Sequence, residues 1–473
     1  MSTADLEALA LRVLLPGFPG TTLAPEVADL LAAGLGGVCL FGSNTADGPD
    51  AVAALTEAVH TASPVALVAV DEEGGDVTRL HARTGSPVLG AAALGAVDDL
   101  AVTRDAGTLV GADLATAGID LDLGPVADVN NNPDNPVIGT RSFGTDPDRV
   151  AAHVAAWVAG LQGQGVAGCA KHFPGHGDTA QDSHLALPVV TADLDTLHRR
   201  ELVPFAAAVV AGVAAVMTSH LVVRALDPAL PATLSRPVLD LLRDRLGFTG
   251  AIVTDALDMA GASAGRGIPE AAVLSLLAGA DLLCLGADKD PALVRAVQEA
   301  VVAAVVGGRL TEERLVDAAD RVTGLRRPRA LRPSAPGRSA QAAGAPASLT
   351  VEGSLPQLAG AVLVAVDTPG TIAVGDVPWG LTADLTLDPC APEVDDLGAT
   401  RAPLIVQVRD AHRRPEVRAL LAALEESDRS VVVVEWGWPG PPVGGLPRIC
   451  THGCSAPGAD AVRAVLRAAG WDR

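Results

Sequence analysis

The sequence predicts an α/β protein, with a (β/α)8 TIM-type barrel followed by a second, smaller α/β domain. Three observations lead to this prediction. Short apolar runs alternate with amphipathic stretches over roughly the first 325 residues of the chain. Polar residues follow directly after most of these runs. A segment rich in proline, alanine and glycine then separates this part from further strand-like runs.

The apolar runs of the first part are continuous rather than alternating, which is typical of parallel strands buried on both faces. The candidate strands are residues 36–41, 65–70, 119–123, 166–170, 214–218, 251–254 and 280–285. Amphipathic helices lie between them, for example at 146–164 and 237–245. The second to the sixth strands are followed by Asp71, Asp128, Lys171, His220 and Asp255. A barrel brings all five to one mouth, whereas an open sheet concentrates such groups near one switch point.

Composition sets the predicted domain boundaries. We place the barrel at residues 1–325, a Pro/Ala/Gly-rich linker at 326–350 and the small α/β domain at 351–473. Strand-like runs in the last part are 361–366, 404–408 and 430–435, with helices near 415–426 and 459–469. No catalytic constellation is recognisable there. Cys450-Thr-His-Gly-Cys454 offers three metal ligands but has no second cluster, so we interpret it as a strand-to-helix turn.

Charge and cysteine usage disfavour several classes of partner. The net charge of −22 at pH 7 argues against nucleic acid or an anionic membrane surface. The six cysteines are dispersed, which indicates reduced and buried thiols rather than a disulfide framework. The first residues lack the pattern of a signal peptide, and no apolar span has the length of a transmembrane helix. We therefore expect a cytoplasmic protein.

Residues 171–184 read Lys-His-Phe-Pro-Gly-His-Gly-Asp-Thr-Ala-Gln-Asp-Ser-His and hold three of the ten histidines. The two glycines and the proline prevent a regular helix, so the segment is predicted as a polar loop leaving a strand. In an extended loop, Asp182 and His184 point the same way. The carboxylate of Asp182 can then fix one tautomer of His184, leaving its other ring nitrogen to exchange protons near neutral pH.

Other strand ends supply further chemistry. Asp255 stands on a rigid strand end, where a carboxylate can act as a nucleophile, although an isolated aspartate there is also a common helix N-cap. With Asp71, Arg79 and Arg141, the mouth offers the donors and acceptors that grip sugar hydroxyls. We interpret His176 and Asp178 as groups that brace the 171–184 loop. His220 either lines the pocket or satisfies the core, and the sequence leaves both options open.

These segments resemble glycoside hydrolase family 3 and, within it, the β-N-acetylglucosaminidase (NagZ-like) subfamily. The resemblance covers nearly all of the first domain. The matching segments are Leu15-Pro-Gly-Phe-Pro-Gly-Thr, Gly-Gly-Val-Cys-Leu-Phe-Gly-Ser-Asn (36–44), Asp71-Glu-Glu-Gly-Gly, Asn135-Pro-Val-Ile-Gly-Thr-Arg-Ser-Phe-Gly, Lys171-His-Phe-Pro-Gly-His-Gly-Asp-Thr, Asp182-Ser-His, Leu226-Asp-Pro, Ala232-Thr-Leu-Ser and Thr254-Asp-Ala-Leu-Asp-Met. The Asp-Ser-His ending is the mark of the subfamily.

The resemblance implies a role for each candidate. Asp255 corresponds to the nucleophile, and His184 to the general acid/base with Asp182 as its orienting partner. The residues that would hold N-acetylglucosamine in the −1 subsite are Asp71, Arg79, Arg141, Lys171 and His172. The implied protein is a retaining β-N-acetylglucosaminidase that uses no metal or cofactor. Its implied substrates are cell-wall fragments, within peptidoglycan recycling, or other glycoconjugates.

The chain departs from the family pattern at two positions. The family usually has Asp-Gln-Glu-Gly-Gly-Arg-Val, whereas this chain has Asp-Glu-Glu-Gly-Gly-Asp-Val. We therefore expect Glu72 and Asp76 to place two extra acids near the mouth and to affect the preference for the leaving group. The second domain resembles the degenerate C-terminal domain of longer members, and we expect a structural or interfacial role. No feature of the sequence indicates an oligomeric state.

Three alternatives remain. A neutral imidazole does not repel an anion as a carboxylate would, so phosphate could replace water and make the enzyme a phosphorylase. A metal hydrolase would draw on the ligand types His172, His176, Asp178, Asp182 and His184. Two of these histidines flank Pro-Gly and cannot share a helix face, which argues against a metal. A non-catalytic sugar-binding protein is disfavoured because the candidate nucleophile and acid/base are both present.

Overall fold

A computed structural model describes residues 2–179, 187–326, 339–368, 370, 374–375, 380–390 and 402–473. Among these, eight parallel strands form the barrel: β1 (Leu14–Pro16), β2 (Gly37–Leu40), β3 (Leu67–Val70), β4 (Leu121–Asp122), β5 (Ala167–Phe173), β7 (Ala215–Thr218), β9 (Ala251–Val253) and β10 (Leu283–Gly286). Two more strands, β6 (Val189–Val190) and β8 (Val222–Val223), pair with each other beside it.

The ring of strands closes in sequence order. The strands β2, β3, β4, β5, β7 and β9 form one parallel sheet, and β1 pairs with β10. A parallel bridge between Val253 and Leu282 joins β9 to the start of β10. On the other side β1 lies against β2, and just before these strands the Gly36 N–H donates to Leu11 O at the end of α1, at 3.0 Å. The predicted barrel is therefore confirmed, with one strand, β1, that the apolar runs did not reveal.

Helices surround the barrel. They are α1 (Thr3–Arg12), α2 (Pro25–Ala32), α3 (Gly42–Thr45), α4 (Pro49–Ala62), α5 (Ala91–Val97), α6 (Leu100–Thr116), α7 (Pro147–Gln162), α8 (Leu194–Thr196), α9 (Leu202–Val210), α10 (Arg236–Asp240), α11 (Ala260–Ser263), α12 (Gly267–Ala278), α13 (Pro291–Val306) and α14 (Glu312–Thr323). Asp146 caps α7, because its side chain accepts the N–H groups of residues 148 and 149. In the described part of the chain, no helix combines the length and apolar character needed to cross a membrane.

Glycines allow two of these helices to approach closely. A Cβ at Gly160 on α7 would lie 2.2 Å from Arg104 O on α6, and one at Gly107 would lie 2.5 Å from Trp157 O. The packing of α6 on α7 therefore requires glycine at both positions. Elsewhere the core consists mainly of Ala, Val and Leu, as expected from an aromatic content of 2%.

The second domain contains a six-stranded sheet. Its strands, in spatial order, are β11 (Thr350–Glu352), β16 (Arg448–Cys450), β15 (Val431–Glu435), β14 (Leu404–Val408), β12 (Val362–Val366) and β13 (Leu385–Leu387). Only the β11–β16 pair among these is antiparallel. The helices are α15 (Ser339–Gly344), α16 (Pro415–Glu425) and α17 (Ala456–Ala468). α15 lies within the segment predicted as a linker, and Gln341 on it bonds the backbone of Leu89 and Val102 in the barrel.

Candidate active site

A cavity of about 960 Å³ opens where the barrel strands end, and we call it the central cavity. Six of the eight residues predicted for the site line it: Asp71, Arg79, Arg141, Lys171, His172 and Asp255. The other two, Asp182 and His184, lie outside the described residues. The barrel therefore gathers side chains that are far apart in the sequence around one space.

Lys171, near the end of β5, is held between two carboxylates. Its Nζ lies 2.6 Å from Asp71 Oδ1 and 2.6 Å from Glu73 Oε1. Burial by itself lowers the pKa of Lys171, but the charges of Asp71 and Glu73 outweigh burial and raise it above the ordinary value. Lys171 is therefore a permanent ammonium donor in the cavity wall.

Glu73 also binds Arg141 through both carboxylate oxygens. Arg141 Nε donates to Oε2 at 2.8 Å and Nη2 donates to Oε1 at 2.7 Å, which is the bidentate geometry of strong guanidinium pairs. Burial raises the pKa of Glu73, but the charges of Arg141 and Lys171 prevail and hold it well below its ordinary value. Glu73 therefore stays ionised and holds both cations in place. It was not among the predicted site residues, although it lies two residues after Asp71.

A single turn of 3-10 helix, Gly139–Arg141, places the guanidinium of Arg141. The N–H of Gly139, which has a φ of 45°, donates to Asn130 Oδ1 at 3.2 Å. Arg141 Nη1 donates to Val137 O at 3.1 Å. Backbone and side-chain bonds thus fix this arginine from both ends.

Asp128, which follows the third predicted strand, orients His172. Its Oδ2 lies 2.7 Å from His172 Nδ1, and its carboxylate also accepts the N–H groups of His172 and His176. With Nδ1 bonded to Asp128, His172 Nε2 is directed to Arg141 Nη2 at 3.4 Å. The sequence identified Asp128 only as a polar strand end, but the structure gives it this supporting position.

His176 also lines the central cavity. Its Nδ1 lies 3.0 Å from Thr179 Oγ1, and its ring makes an edge contact with His172 at 6.2 Å between centroids. Burial lowers the pKa of His176 to about 4, so the ring is neutral at neutral pH. The bond to Thr179 agrees with the predicted bracing role. The position of His176 in the cavity wall was not predicted.

Asp255 follows β9 and is partly exposed in the cavity wall. Its Oδ1 accepts the N–H of Ala256 at 2.7 Å. His220 supports the same segment, because its Nε2 lies 2.9 Å from Ala256 O and its Nδ1 lies 2.9 Å from Thr233 Oγ1. His220 is fully buried, so of the two options left open the core position is the one observed.

Arg79 links the barrel to the second domain at the cavity. Its Nη1 donates to Val374 O at 3.3 Å, and Val374 also lines the cavity. The backbone N–H groups of Arg79 and Leu80 donate to Glu72 Oε2 at 2.8 and 3.0 Å. Burial raises the pKa of Glu72. The Glu72 side chain is therefore directed at the backbone of its own turn, where it accepts these two N–H groups.

The expectation that Glu72 and Asp76 add two acids to the mouth is wrong. Both are buried, and neither is among the described residues that line the cavity. Asp76 instead forms a bidentate pair with Arg409 of the second domain, with both N–O distances at 2.9 Å. Both acids stand in a glycine-rich turn, yet Glu72 accepts backbone N–H groups and Asp76 pairs with the distant Arg409.

Within the described ranges, no group of three or more His, Cys, Asp or Glu side chains is arranged to hold a metal ion. Residues 180–186 lie outside these ranges, and they include Asp182 and His184, two of the ligands considered for a metal hydrolase. The Cys450–Cys454 segment connects the end of β16 to the start of α17 at Ala456. His452 Nδ1 bonds Ser348 O at 2.9 Å, and Cys454 Sγ accepts the N–H of Gly380.

Comparisons with known proteins agree with this arrangement. The family description "Glycosyl hydrolase family 3 N terminal domain" matches residues 13–325. A beta-hexosaminidase from Alkalilimnicola ehrlichii is 38% identical over 299 residues, which cover 61% of this chain and 84% of that protein.

Two solved structures extend the likeness. A glycoside hydrolase family 3 beta-N-acetylglucosaminidase from Paenibacillus sp. str. FPU-7 superposes with a TM-score of 0.88 at 30% identity, covering 99% of this chain and 97% of that one. NagZ from Neisseria gonorrhoeae, in complex with N-trifluoroacetyl-D-glucosamine, is 31% identical with a TM-score of 0.55, covering 67% of this chain and 98% of that one. The first likeness includes both domains, and the second covers about the extent of the barrel.

Proposed function

The chain belongs to glycosyl hydrolase family 3 and is a glycoside hydrolase of the β-hexosaminidase type, and from this premise we propose that it is a retaining β-N-acetylglucosaminidase. It removes terminal β-linked N-acetylglucosamine through a covalent glycosyl-enzyme. One observation carries this proposal: the Asp255 carboxylate shares a cavity with the network of Lys171, Glu73 and Arg141.

The network supports binding of a sugar in a defined orientation. Lys171 and Arg141 are cations whose donors are fixed by Glu73, so little entropy is lost when they bind hydroxyl groups. The Asp71 side chain is 19% exposed and can accept a hydrogen bond from a sugar hydroxyl. Glu73 also lines the cavity, but both of its oxygens are already bonded to Arg141 and one of them also to Lys171, so it acts as the anchor of the two cations.

The proposed reaction proceeds by two inversions. Asp255 attacks the anomeric carbon, the bond to the leaving oxygen breaks, and protonated His184 gives that oxygen its proton. Neutral His184 then takes a proton from water, which attacks the glycosyl-enzyme and releases Asp255. Asp182 fixes the tautomer of His184. For these last two residues the support is the Asp-Ser-His motif and its spacing.

The substrate proposal rests on the relatives. The Neisseria protein binds an N-acylated glucosamine, and the Paenibacillus protein is described as a beta-N-acetylglucosaminidase. We carry N-acetylglucosamine over to this chain, with fragments of cell-wall turnover as the proposed source. The six free cysteines fit a reducing compartment, and the cytoplasm stays part of the proposal.

The test compares p-nitrophenyl β-N-acetylglucosaminide with the β-glucoside, with and without phosphate. We expect a strong preference for the acetylated sugar and no dependence on phosphate. Asp255→Asn should lower kcat by about four orders of magnitude, since the nucleophile is removed. Asp258→Asn is the matched control, because Asp258 lies in the same loop and pairs with Lys289 at 2.8 Å; it should keep most of the activity.

Each result has a clear meaning. A sugar 1-phosphate formed only with phosphate would replace the hydrolase by a phosphorylase. Full activity of Asp255→Asn would remove the proposed nucleophile. Binding of the acetylated sugar without turnover of any β-hexosaminide would indicate a sugar-binding protein.

A further inference from the structure

Asp76 joins three separated parts of the chain. Its carboxylate accepts bonds from Arg409 Nη1 and Nη2, both at 2.9 Å, and from Thr140 Oγ1 at 2.6 Å. The backbone N–H of Cys454 donates to Oδ1 at 2.9 Å. Of the three donor residues, Arg409 and Cys454 belong to the second domain and Thr140 to the barrel. One carboxylate therefore joins the two domains.

This cluster is removed from water. The side chain of Asp76 is 4% exposed and that of Arg409 is 6% exposed. A buried charge pair is costly unless every oxygen is satisfied, and here each carboxylate oxygen accepts two bonds. Fixed bidentate geometry of this kind defines position more than it adds stability. Neither residue lines the central cavity.

The cluster is connected to the cavity through two short segments. Thr140 directly precedes Arg141, and Asp76 follows Glu73 by three residues. Between them, Gly75 is held at a φ of 59°, where a Cβ would lie 2.4 Å from Gly90 Cα. Glu73 is therefore linked to Asp76 by a short segment of constrained backbone. Arg141 is linked to it through the neighbouring Thr140, which bonds the Asp76 carboxylate. Arg409 binds that same carboxylate.

A second contact comes from the segment that follows β14, which also carries Arg409. Arg413 Nη1 donates to Asn135 O at 2.6 Å, and Arg413 is itself held by Asp410 at 2.6 Å. Asn135 Oδ1 accepts the N–H groups of Val137 and Ile138, which lead directly into the turn of Arg141. The second domain thus contacts the backbone just before that turn and, through Asp76, the side chain of Thr140 within it.

We propose that Asp76 and Arg409 are positioning residues through which the second domain sets the geometry of the Glu73–Arg141 pair and hence the binding of the −1 sugar. The inference rests on the proposed function, in which Arg141 binds that sugar. It gives the second domain a role in substrate affinity that does not require it to supply a reacting group.

The test uses the full chain and the variants Asp76→Asn, Arg409→Met and the double variant. The double variant leaves no unpaired buried charge, so it keeps the fold if the single variants lose stability. The matched control is Val364→Ala. This substitution leaves a small cavity in a buried strand of the second domain, at a position that does not touch the Asp76 cluster. Two quantities are measured: the steady-state constants on the p-nitrophenyl β-N-acetylglucosaminide, and amide hydrogen exchange across residues 139–143.

We expect the three cluster variants to raise KM about tenfold while kcat stays within about threefold, because ground-state and transition-state binding are weakened alike. Exchange at residues 139–143 should accelerate in these variants and not in Val364→Ala, even if that control unfolds at a lower temperature. Wild-type KM together with wild-type exchange at 139–143 would overturn the inference. A wild-type chain inactive on the acetylated glycoside refutes the proposed function instead, and hydrogen exchange still decides whether the second domain holds this turn.

Discussion

Glu73 Oε1 lies 2.6 Å from Lys171 Nζ, and this ion pair is almost completely buried beside the central cavity. The same oxygen accepts a bond from Arg141 Nη2 at 2.7 Å. One carboxylate therefore balances two cations, and Asp71 supplies the second negative charge to Lys171. The arrangement keeps both cations charged and fixed before any sugar arrives, which is the kind of preorganisation that favours tight and oriented binding.

The first prediction concerns the charge of Glu73. Glu73→Gln leaves Lys171 and Arg141 with too little negative charge in a buried place, and such uncompensated charge costs about 3–5 kcal/mol of stability. The loosened cations should also lower kcat/KM by about 10- to 100-fold, mainly through KM. Urea unfolding and steady-state kinetics on the acetylated glycoside measure the two effects.

The neighbouring residue provides the control. Glu72 uses one oxygen, Oε2, for the N–H groups of Arg79 and Leu80, and the amide oxygen of Glu72→Gln can accept the same bonds. We expect this variant to keep kcat/KM within about threefold. Equal losses in both variants would mean that the turn, and not the charge of Glu73, determines binding.

The second prediction concerns acid stability and His176. The unfolded chain binds a proton on this histidine near pH 6.5, whereas burial lowers the folded pKa to about 4. Between these values the unfolded state holds more protons, so stability falls as the pH drops from 6.5 towards 4, by up to about 3 kcal/mol. Urea unfolding at several pH values measures this slope.

His176→Asn separates this histidine from other titrating groups. Asparagine keeps a side-chain partner for Thr179, which bonds His176 Nδ1 at 3.0 Å, but it does not titrate. The variant should show a flatter loss of stability between pH 6.5 and 4 than the wild type. A slope as steep as that of the wild type would assign the acid sensitivity to other groups.

The sequence predicted the barrel because its strands are continuous apolar runs that end in polar residues. It missed β1, since this strand has only three residues, Leu14–Pro16, and ends in a proline. Six site residues meet as predicted because a barrel places all strand ends at one mouth. Periodicity and strand position were sufficient for the barrel and for Asp71, Lys171 and Asp255, whereas Arg79 and Arg141 lie outside the strands and their binding roles were implied by the family resemblance.

The predictions that failed depend on side-chain direction and on distant partners. Glu72 and Asp76 stand in a polar glycine-rich turn and look exposed, yet one folds back onto its own turn and the other meets Arg409, 333 residues away. Glu73 and Asp128 were not assigned a role because only tertiary contacts distinguish them from neighbouring acids. No local pattern encodes such pairs: the Asp76–Arg409 pair exists only after the two domains pack together, and the contacts of Glu73 and Asp128 exist only after the barrel closes.

The third prediction compares two arginines of the cavity wall. Arg79 is held by a bond to Val374 O, whereas Arg83 is exposed. A fixed donor contributes more to binding than a mobile one, because less side-chain entropy is lost. On the p-nitrophenyl acetylated glycoside, Arg79→Ala should raise KM about tenfold and Arg83→Ala by no more than about twofold. The reverse order would assign sugar binding to Arg83.

The last prediction uses azide to assign the two catalytic roles separately. In Asp255→Ala the nucleophile is replaced by a gap, and azide can enter from the same side to attack the β-glycoside. One inversion then gives the α-glycosyl azide, with the leaving group departing as its protonated form. In His184→Ala the glycosyl-enzyme still forms on a substrate with a good leaving group, and azide attacks that intermediate.

Two inversions then give the β-glycosyl azide. The configuration of each product, read from the anomeric proton coupling in an NMR spectrum, therefore identifies which group each variant lacks. We expect azide to restore activity in both variants, with α product from Asp255→Ala and β product from His184→Ala. Asp258→Ala is the control and should form no azide adduct beyond that of the wild type, because its carboxylate pairs with Lys289. The same anomer from both variants would exclude the proposed division of roles.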